Sequence, residues 1–124
     1  LKIALKVQNL LEQSGATVIL TRSDENAIYD LDSKTLKEKK ISDIHNRVKI
    51  GNENSADIFV SIHQNMFPQS KCYGAQVWYA SNENSNKLAT SVQDAIKESV
   101  NDNNKRVAKP AAEAYLILRD KYLK

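Results

Sequence analysis

The stretch IFVSIHQN, Ile58 to Asn65, decides the fold of this chain. Ile58, Phe59, Val60 and Ile62 are β-branched or aromatic, so Ile58 to Ile62 reads as a short buried strand. His63, Gln64 and Asn65 follow directly at its C-terminal end. Open α/β sheets hold their ligands beyond the carboxyl ends of their strands, so this is where an imidazole and two amides are most useful.

Working upstream, Ser55 to Asp57 turns the chain. Before it, Ile41, Ile44, Val48 and Ile50 recur at helical spacing and predict a helix from about Lys37 to Asn54. The segment Arg22 to Thr35 is polar and aperiodic, rich in turn formers such as Ser23, Asp24, Asn26, Asp30 and Asp32, and reads as a long surface loop with a functional bias. Ala16 to Thr21 (ATVILT) is short and β-branched, as a strand covered on both faces would be. Ile3, Val7, Leu10 and Leu11 predict a first helix that Gly15 stops.

Downstream, Ala75 to Tyr79 is expected as a third strand, entered at Gly74. Leu88, Val92, Ala95, Ile96 and Val100 form the expected apolar stripe of a helix over Asn86 to Val100. A basic loop with Arg106, Lys109 and Pro110 leads to Ala114 to Leu118 (AYLIL), which reads as a strand or the start of a helix. Helices and strands in alternation predict an α/β fold with a mostly parallel sheet and helices on both faces. No capping residue precedes the first helix, so Leu1 reads as a position inside a longer protein. Arg119 to Lys124 is too short to complete another unit, so one domain, residues 1–124, is expected, incomplete at both ends.

Bulk properties narrow the function. The chain has 124 residues and 41% hydrophobic content, enough for one domain with a real core. No apolar run approaches the roughly 20 residues that cross a bilayer. A formal net charge of +3 with both signs interspersed does not imply a nucleic-acid partner. The single cysteine, Cys72, excludes an internal disulfide and an all-cysteine metal site, and reads as a small apolar residue or a partly exposed thiol.

Few residues are left to carry chemistry. His63 has two readings, a histidine satisfied by local hydrogen bonds or a catalytic or metal-ligating one. His45, on the second helix beside Asp43 and Asn46, reads as part of a solvated face. HExxH, GxSxG, paired cysteines and phosphate-binding glycine loops are all absent from the sequence. Arg106, Lys109 and Arg119 are either a basic patch or solubilising charges. Tyr73, Trp78 and Tyr79 are either a groove lining or, for Trp78 above all, core packing.

The run Asn46 to Asn65, NRVKIGNENSADIFVSIHQN, closely resembles the signature of the zinc-dependent N-acetylmuramoyl-L-alanine amidases of the type 3 family, with an R-x-x-x-x-N helix, then A-D, then an apolar strand ending in S-I-H-x-N. GATVILTR (Gly15 to Arg22), YGAQVWY (Tyr73 to Tyr79) and RVAKPAAEAYLIL (Arg106 to Leu118) stand in the family's order. The FPQSKCYGAQVWY form of the middle region is most similar to the spore-cortex, germination-specific amidases.

The resemblance implies a peptidoglycan hydrolase that cleaves the amide between N-acetylmuramic acid and L-alanine, in the formation of muramic lactam. It implies Zn2+ as cofactor, His63 as a zinc ligand and Asn65 as a substrate-lining residue. The other His and Glu ligands are expected before Leu1 and the general acid/base Glu after Lys124, so the resemblance puts no catalytic residue in these 124 residues and implies that they are inactive alone. The implied partners are the peptidoglycan stem peptide and an accessory spore or envelope protein, and the implied location is the exported cell envelope or spore cortex. The competing expectation is an inactive module of the same fold that binds peptidoglycan or a partner.

Overall fold

The computed structural model describes residues 1–64, 73–111 and 115–118. By its internal contacts the chain divides into two compact units, Leu1–Gln64 and Asn65–Lys124.

In the first unit, α1 spans Lys2–Gln13 and begins at Leu1 with no side-chain cap, as expected. Its end is a Schellman turn. The Gly15 N–H bonds to the Glu12 carbonyl and the Ala16 N–H to the Leu11 carbonyl, each at 3.0 Å, with Gly15 at φ +89° where a side chain would be strained. Helix α2 spans Leu36–Glu53. A reciprocal cap starts it, in which Thr35 Oγ1 accepts from the Glu38 N–H at 3.1 Å and Glu38 Oε2 accepts from the Thr35 N–H at 2.8 Å. Those backbone donors, Thr35 first and then Lys34, hold the Glu38 carboxyl below its ordinary range. A second Schellman turn ends α2, with Ser55 where a glycine would be easier, at φ +50°.

The expected apolar face of α2 is partly confirmed: Val48 is buried, and Ile41 and Ile44 are half-buried. Gly51 lies under the ring of Phe59, so close that a Cβ there would stand 2.9 Å from Phe59 Cδ2. That approach accounts for a glycine in the last turn of α2, where a larger residue would meet the ring.

The expected strands Ala16 to Thr21 and Ile58 to Ile62 are corrected in one respect. Neither carries a ladder among the described residues, and neither is covered on both faces. Ile58, Val60 and Ile62 are exposed while Phe59 and Ser61 are half-buried, and Ile19 is exposed between half-buried Val18 and Leu20. The two-residue alternation is that of extended chain, but a strand becomes part of a sheet only through paired edges.

The second unit is built on a β–α–β arrangement. Strand β1 (Trp78–Tyr79) pairs in parallel with β2 (Lys109–Pro110), and α3 (Glu83–Ser99) is the crossover. The Lys109 N–H bonds to the Val77 carbonyl at 3.0 Å and the Ala111 N–H to the Tyr79 carbonyl at 2.8 Å. Pro110 falls at the intervening position, whose nitrogen faces away from β1, so its missing N–H breaks no bond of this pair. Helix α3 is capped by Asn82, whose Oδ1 accepts from the Ser85 N–H at 2.8 Å.

One expectation for this unit fails in part, and an open one is narrowed. Of the expected stripe, Leu88, Val92, Ala95 and Val100 are exposed and Ile96 is half-buried, and α3 instead buries Ala89 and Gln93, one residue further round the helix. Ala114 to Leu118 holds a 3-10 turn at Leu116–Leu118, with Ile117 buried, and Ala114 lies outside the described residues. Among the described residues of this unit, the buried apolar side chains are Ala80, Ala89, Ala111 and Ile117. The β1–α3–β2 unit places the chain in the α/β class.

Candidate active site

His63 stands where the sequence puts it, at the exposed end of the Ile58–Ile62 segment. Its Nε2 lies 2.8 Å from Ser61 Oγ. Residues two apart share a face of extended chain, which is why these side chains meet. Ser61 is half-buried and His63 is exposed, so the ring is tethered at its inner edge. His45 is exposed on α2, as a residue of a solvated face should be. Asn65, Cys72 and Arg119 lie outside the described residues.

The long loop, Arg22 to Thr35, is fastened to the polar face of α2. Asp43 Oδ1 accepts from the Ile28 N–H at 2.7 Å, Ser42 Oγ accepts from the Asp30 N–H at 2.8 Å, and Asn46 Nδ2 donates to the Ile28 carbonyl at 2.7 Å and to Asp30 Oδ1 at 2.8 Å. Arg47 grips Asp43 through Nε at 2.6 Å and Nη2 at 3.1 Å, and its Nη1 donates to Thr21 Oγ1 at 2.9 Å. Lys39 Nζ sits 4.9 Å from the centre of the Tyr29 ring.

Partial burial of Asp43 pushes its pKa up, but the hydrogen bonds from Arg47 and the Ile28 N–H, with the charges of Arg47 and Arg22, outweigh it and leave the carboxyl below its ordinary value. Asp30 is lowered by its bonds to Asn46 first and Ser42 second. Arg47, the arginine of the R-x-x-x-x-N pattern, is therefore bonded to the side chains of Asp43 and Thr21, a role that sequence reasoning missed.

In the second unit, neutral amides take the same part. The buried Gln93 accepts from the Val77 N–H at 2.9 Å and donates to the Ala75 carbonyl at 3.2 Å. Asn104, also buried, donates to the Ala75 carbonyl at 2.8 Å and accepts from the Arg106 N–H at 3.0 Å. Gly74, at φ +88°, lets the backbone pass so close that a Cβ would stand 2.7 Å from the Asn104 side chain. Arg106 Nε donates to Gln76 Oε1 at 2.9 Å, Nη2 donates to the same oxygen, and Gln76 Nε2 donates to the Val107 carbonyl at 2.9 Å.

Of the suggested basic patch, Arg106 is thus bound within the fold and Lys109 is exposed on β2. Trp78 is half-buried with its ring 5.3 Å from that of Tyr115, in agreement with the packing reading, whereas Tyr73 is exposed. Gln93 and Asn104 were not singled out from sequence, because a polar side chain in a helix or an Asn-rich turn reads as solvated until its partners are known.

Residues 1–122 match the family model for N-acetylmuramoyl-L-alanine amidase, and the chain belongs to that family. It is 34% identical over 121 residues to the germination-specific N-acetylmuramoyl-L-alanine amidase of Bacillus subtilis (strain 168), a match that spans 94% of this chain and 49% of that protein. It also matches the solved structure of the CwlD amidase from Clostridioides difficile in complex with the GerS lipoprotein, with a TM-score of 0.87 and 38% identity, over 98% of this chain and 62% of that one. The chain therefore spans about half the length of the Bacillus protein it resembles.

The donor set can be tested against a metal. Among the described residues no three His, Cys, Asp or Glu side chains converge. His63 qualifies as one donor, exposed and with no hydrogen-bond partner at Nδ1 among the described residues, but the remaining donors of a closed or catalytic zinc site are not among them.

Proposed function

We propose that the protein to which these residues belong is a peptidoglycan hydrolase that cleaves the amide between the lactyl group of N-acetylmuramic acid and L-alanine. The observation that carries this reading is the family match over residues 1–122, together with the S-I-H-x-N pattern at Ser61 to Asn65. The likeness to a germination-specific amidase supports the spore cortex as the setting and muramic lactam as the outcome. It supports an exported location, and no helix among the described residues is long and apolar enough to cross a membrane. The likeness to an amidase in complex with a lipoprotein supports a lipoprotein accessory partner.

Members of this family are generally zinc-dependent. A bound zinc ion would supply Lewis-acid polarisation of the carbonyl and an activated water. In this reading His63 is one ligand and Asn65 lines the substrate path, and the inner fixing of the ring by Ser61 keeps the imidazole directed. The binding-module alternative has no observation in its favour.

The test is digestion of purified cortex peptidoglycan by the full-length encoded protein with zinc and the lipoprotein. Newly exposed alanine amino termini are counted by mass spectrometry, with His63→Ala in parallel. Release by the wild type and its loss in the variant are expected. A folded, zinc-supplied wild type that frees no alanine terminus would overturn the assignment.

A further inference from the structure

We propose that the loop Arg22 to Thr35 forms one wall of the substrate site and that Asn46 is the positioning residue that latches it there. This rests on the reading of the protein as a hydrolase whose site lies beyond the carboxyl ends of its extended segments. Helix α2 serves as the ruler. Its Gly51 lies under the Phe59 ring, and Arg47, one turn earlier on the same face, donates to Thr21 Oγ1 at 2.9 Å. The Phe59 segment leaves the C-terminal end of α2 through the tight turn at Ser55, so it runs back along the helix. From Phe59 to His63 the extended chain advances about 13 Å, the rise of about nine helical residues, which brings His63 level with the stretch Ser42 to Asn46.

That stretch is where the loop is tied down. Asn46 Nδ2 donates to the Ile28 carbonyl at 2.7 Å and to Asp30 Oδ1 at 2.8 Å, while Asp43 and Ser42 accept from the Ile28 and Asp30 N–H groups. The loop thus starts at the end of one extended segment, at Thr21, and is fixed beside the end of the other. Its outward side chains, Asp24, Glu25, Asn26 and Leu31, are exposed, so these bonds hold a surface in shape. A surface fixed beside the ends of the segments is preorganised for binding, and releasing it weakens affinity without touching the bond-breaking step. Asn46 has the largest share, because its one amide reaches a backbone carbonyl and a side chain of the loop, 18 and 16 residues away.

The experiment is steady-state kinetics of the full-length encoded protein, supplied with zinc, on soluble N-acetylmuramoyl-peptide fragments, together with hydrogen exchange at the Ile28 and Asp30 amides. Asn46→Asp keeps the shape of Asn46 but removes the donor and sets a carboxylate against Asp30. It is expected to raise KM roughly 10-fold, the scale of a lost hydrogen bond to a charged group, to leave kcat within about twofold, and to speed exchange at both amides. Adding Asp30→Asn returns a donor to this pair and should bring KM part of the way back. If both amides exchange faster while KM stays put, or if kcat falls alone, the wall is refuted and the hydrolase reading stands. If both amides keep their protection, Asn46 is not the latch. A wild type that releases no alanine termini removes the hydrolase reading and the proposal with it. Should the variant not fold, the wild type decides: titration with the two products, the glycan fragment and the free stem peptide, is expected to shift the amides of Ala27 to Leu31, and shifts elsewhere only, or none, refute the wall.

Discussion

Both units of the chain anchor irregular backbone with side-chain hydrogen bonds, but carboxylates take part in the first and buried neutral amides carry the second. In Leu1–Gln64 the loop is held chiefly by carboxylates, Asp43 paired with Arg47 and Asp30 bonded by the Asn46 amide, and the side chains of the Asp43–Arg47 pair are 17% and 20% exposed. In Asn65–Lys124 the backbone at Ala75 to Val77 is held by Gln93 and Asn104, neutral amides that are 1% and 2% exposed. Among the described residues, the carboxyls held below their ordinary values, Asp24, Asp30, Glu38 and Asp43, lie in the first unit. Charge serves where water can screen and solvate it, and neutral amides serve where water is excluded, because an ion buried there would cost far more than an amide. The first unit should therefore answer to acid and the second to loss of shape or of a hydrogen-bond partner.

The largest effect is expected at the tightest approach in the second unit. Gly74→Ala forces a side chain into positive φ and into Asn104, so it should lower stability by about 3 kcal/mol, read from the urea midpoint. Gln93→Met keeps most of the volume of Gln93 but leaves the Val77 N–H without its acceptor, at a cost of about 2 kcal/mol. That loss should be the same at pH 3 and pH 7, since no proton is involved. A strong pH dependence would break the contrast between the units.

In the first unit, Asp43→Asn should cost about 1–2 kcal/mol at neutral pH by removing a partly buried charged pair. Because the folded pKa of Asp43 is depressed, its contribution is complete above the unfolded value, about 3.9, and is lost as pH falls through the folded one. Hydrogen-exchange protection at the Ile28 amide should thus fall on acidification in the wild type and change less in the variant, while protection at Val77 stays level. The smallest effect is a gain. Ser55→Gly relieves the positive φ at the end of α2 and should stabilise by about 0.5–1 kcal/mol in the same denaturant assay.

Local order was readable without any partner. Gly15 announced the end of α1, the spacing of Ile41, Ile44 and Val48 announced α2, and the dipeptide Trp78–Tyr79 lay inside the expected third strand. The T-x-x-E pattern at Thr35 to Glu38 was a further signal, and the observed cap shows that it was informative. Strand β2 was hidden because Lys109–Pro110 has none of the residues that favour strands, and only its parallel neighbour makes it one. The buried face of α3 was misjudged because hydrophobicity pointed to Leu88 and Val92, whereas the backbone before β1 required the amide of Gln93.

For the candidate site the division is similar. The sequence alone determined the family pattern, the place of His63 at the end of an extended apolar segment, and the identity of the residue two positions before it, since these depend on order along the chain. Only the tertiary structure decided that Arg47 is spent on Asp43 and Thr21, that Arg106 is spent on Gln76, and that Ser61 meets the imidazole at Nε2. A polar side chain has several possible partners of similar strength, and which one it takes is settled by the backbone that folding brings within about 3 Å.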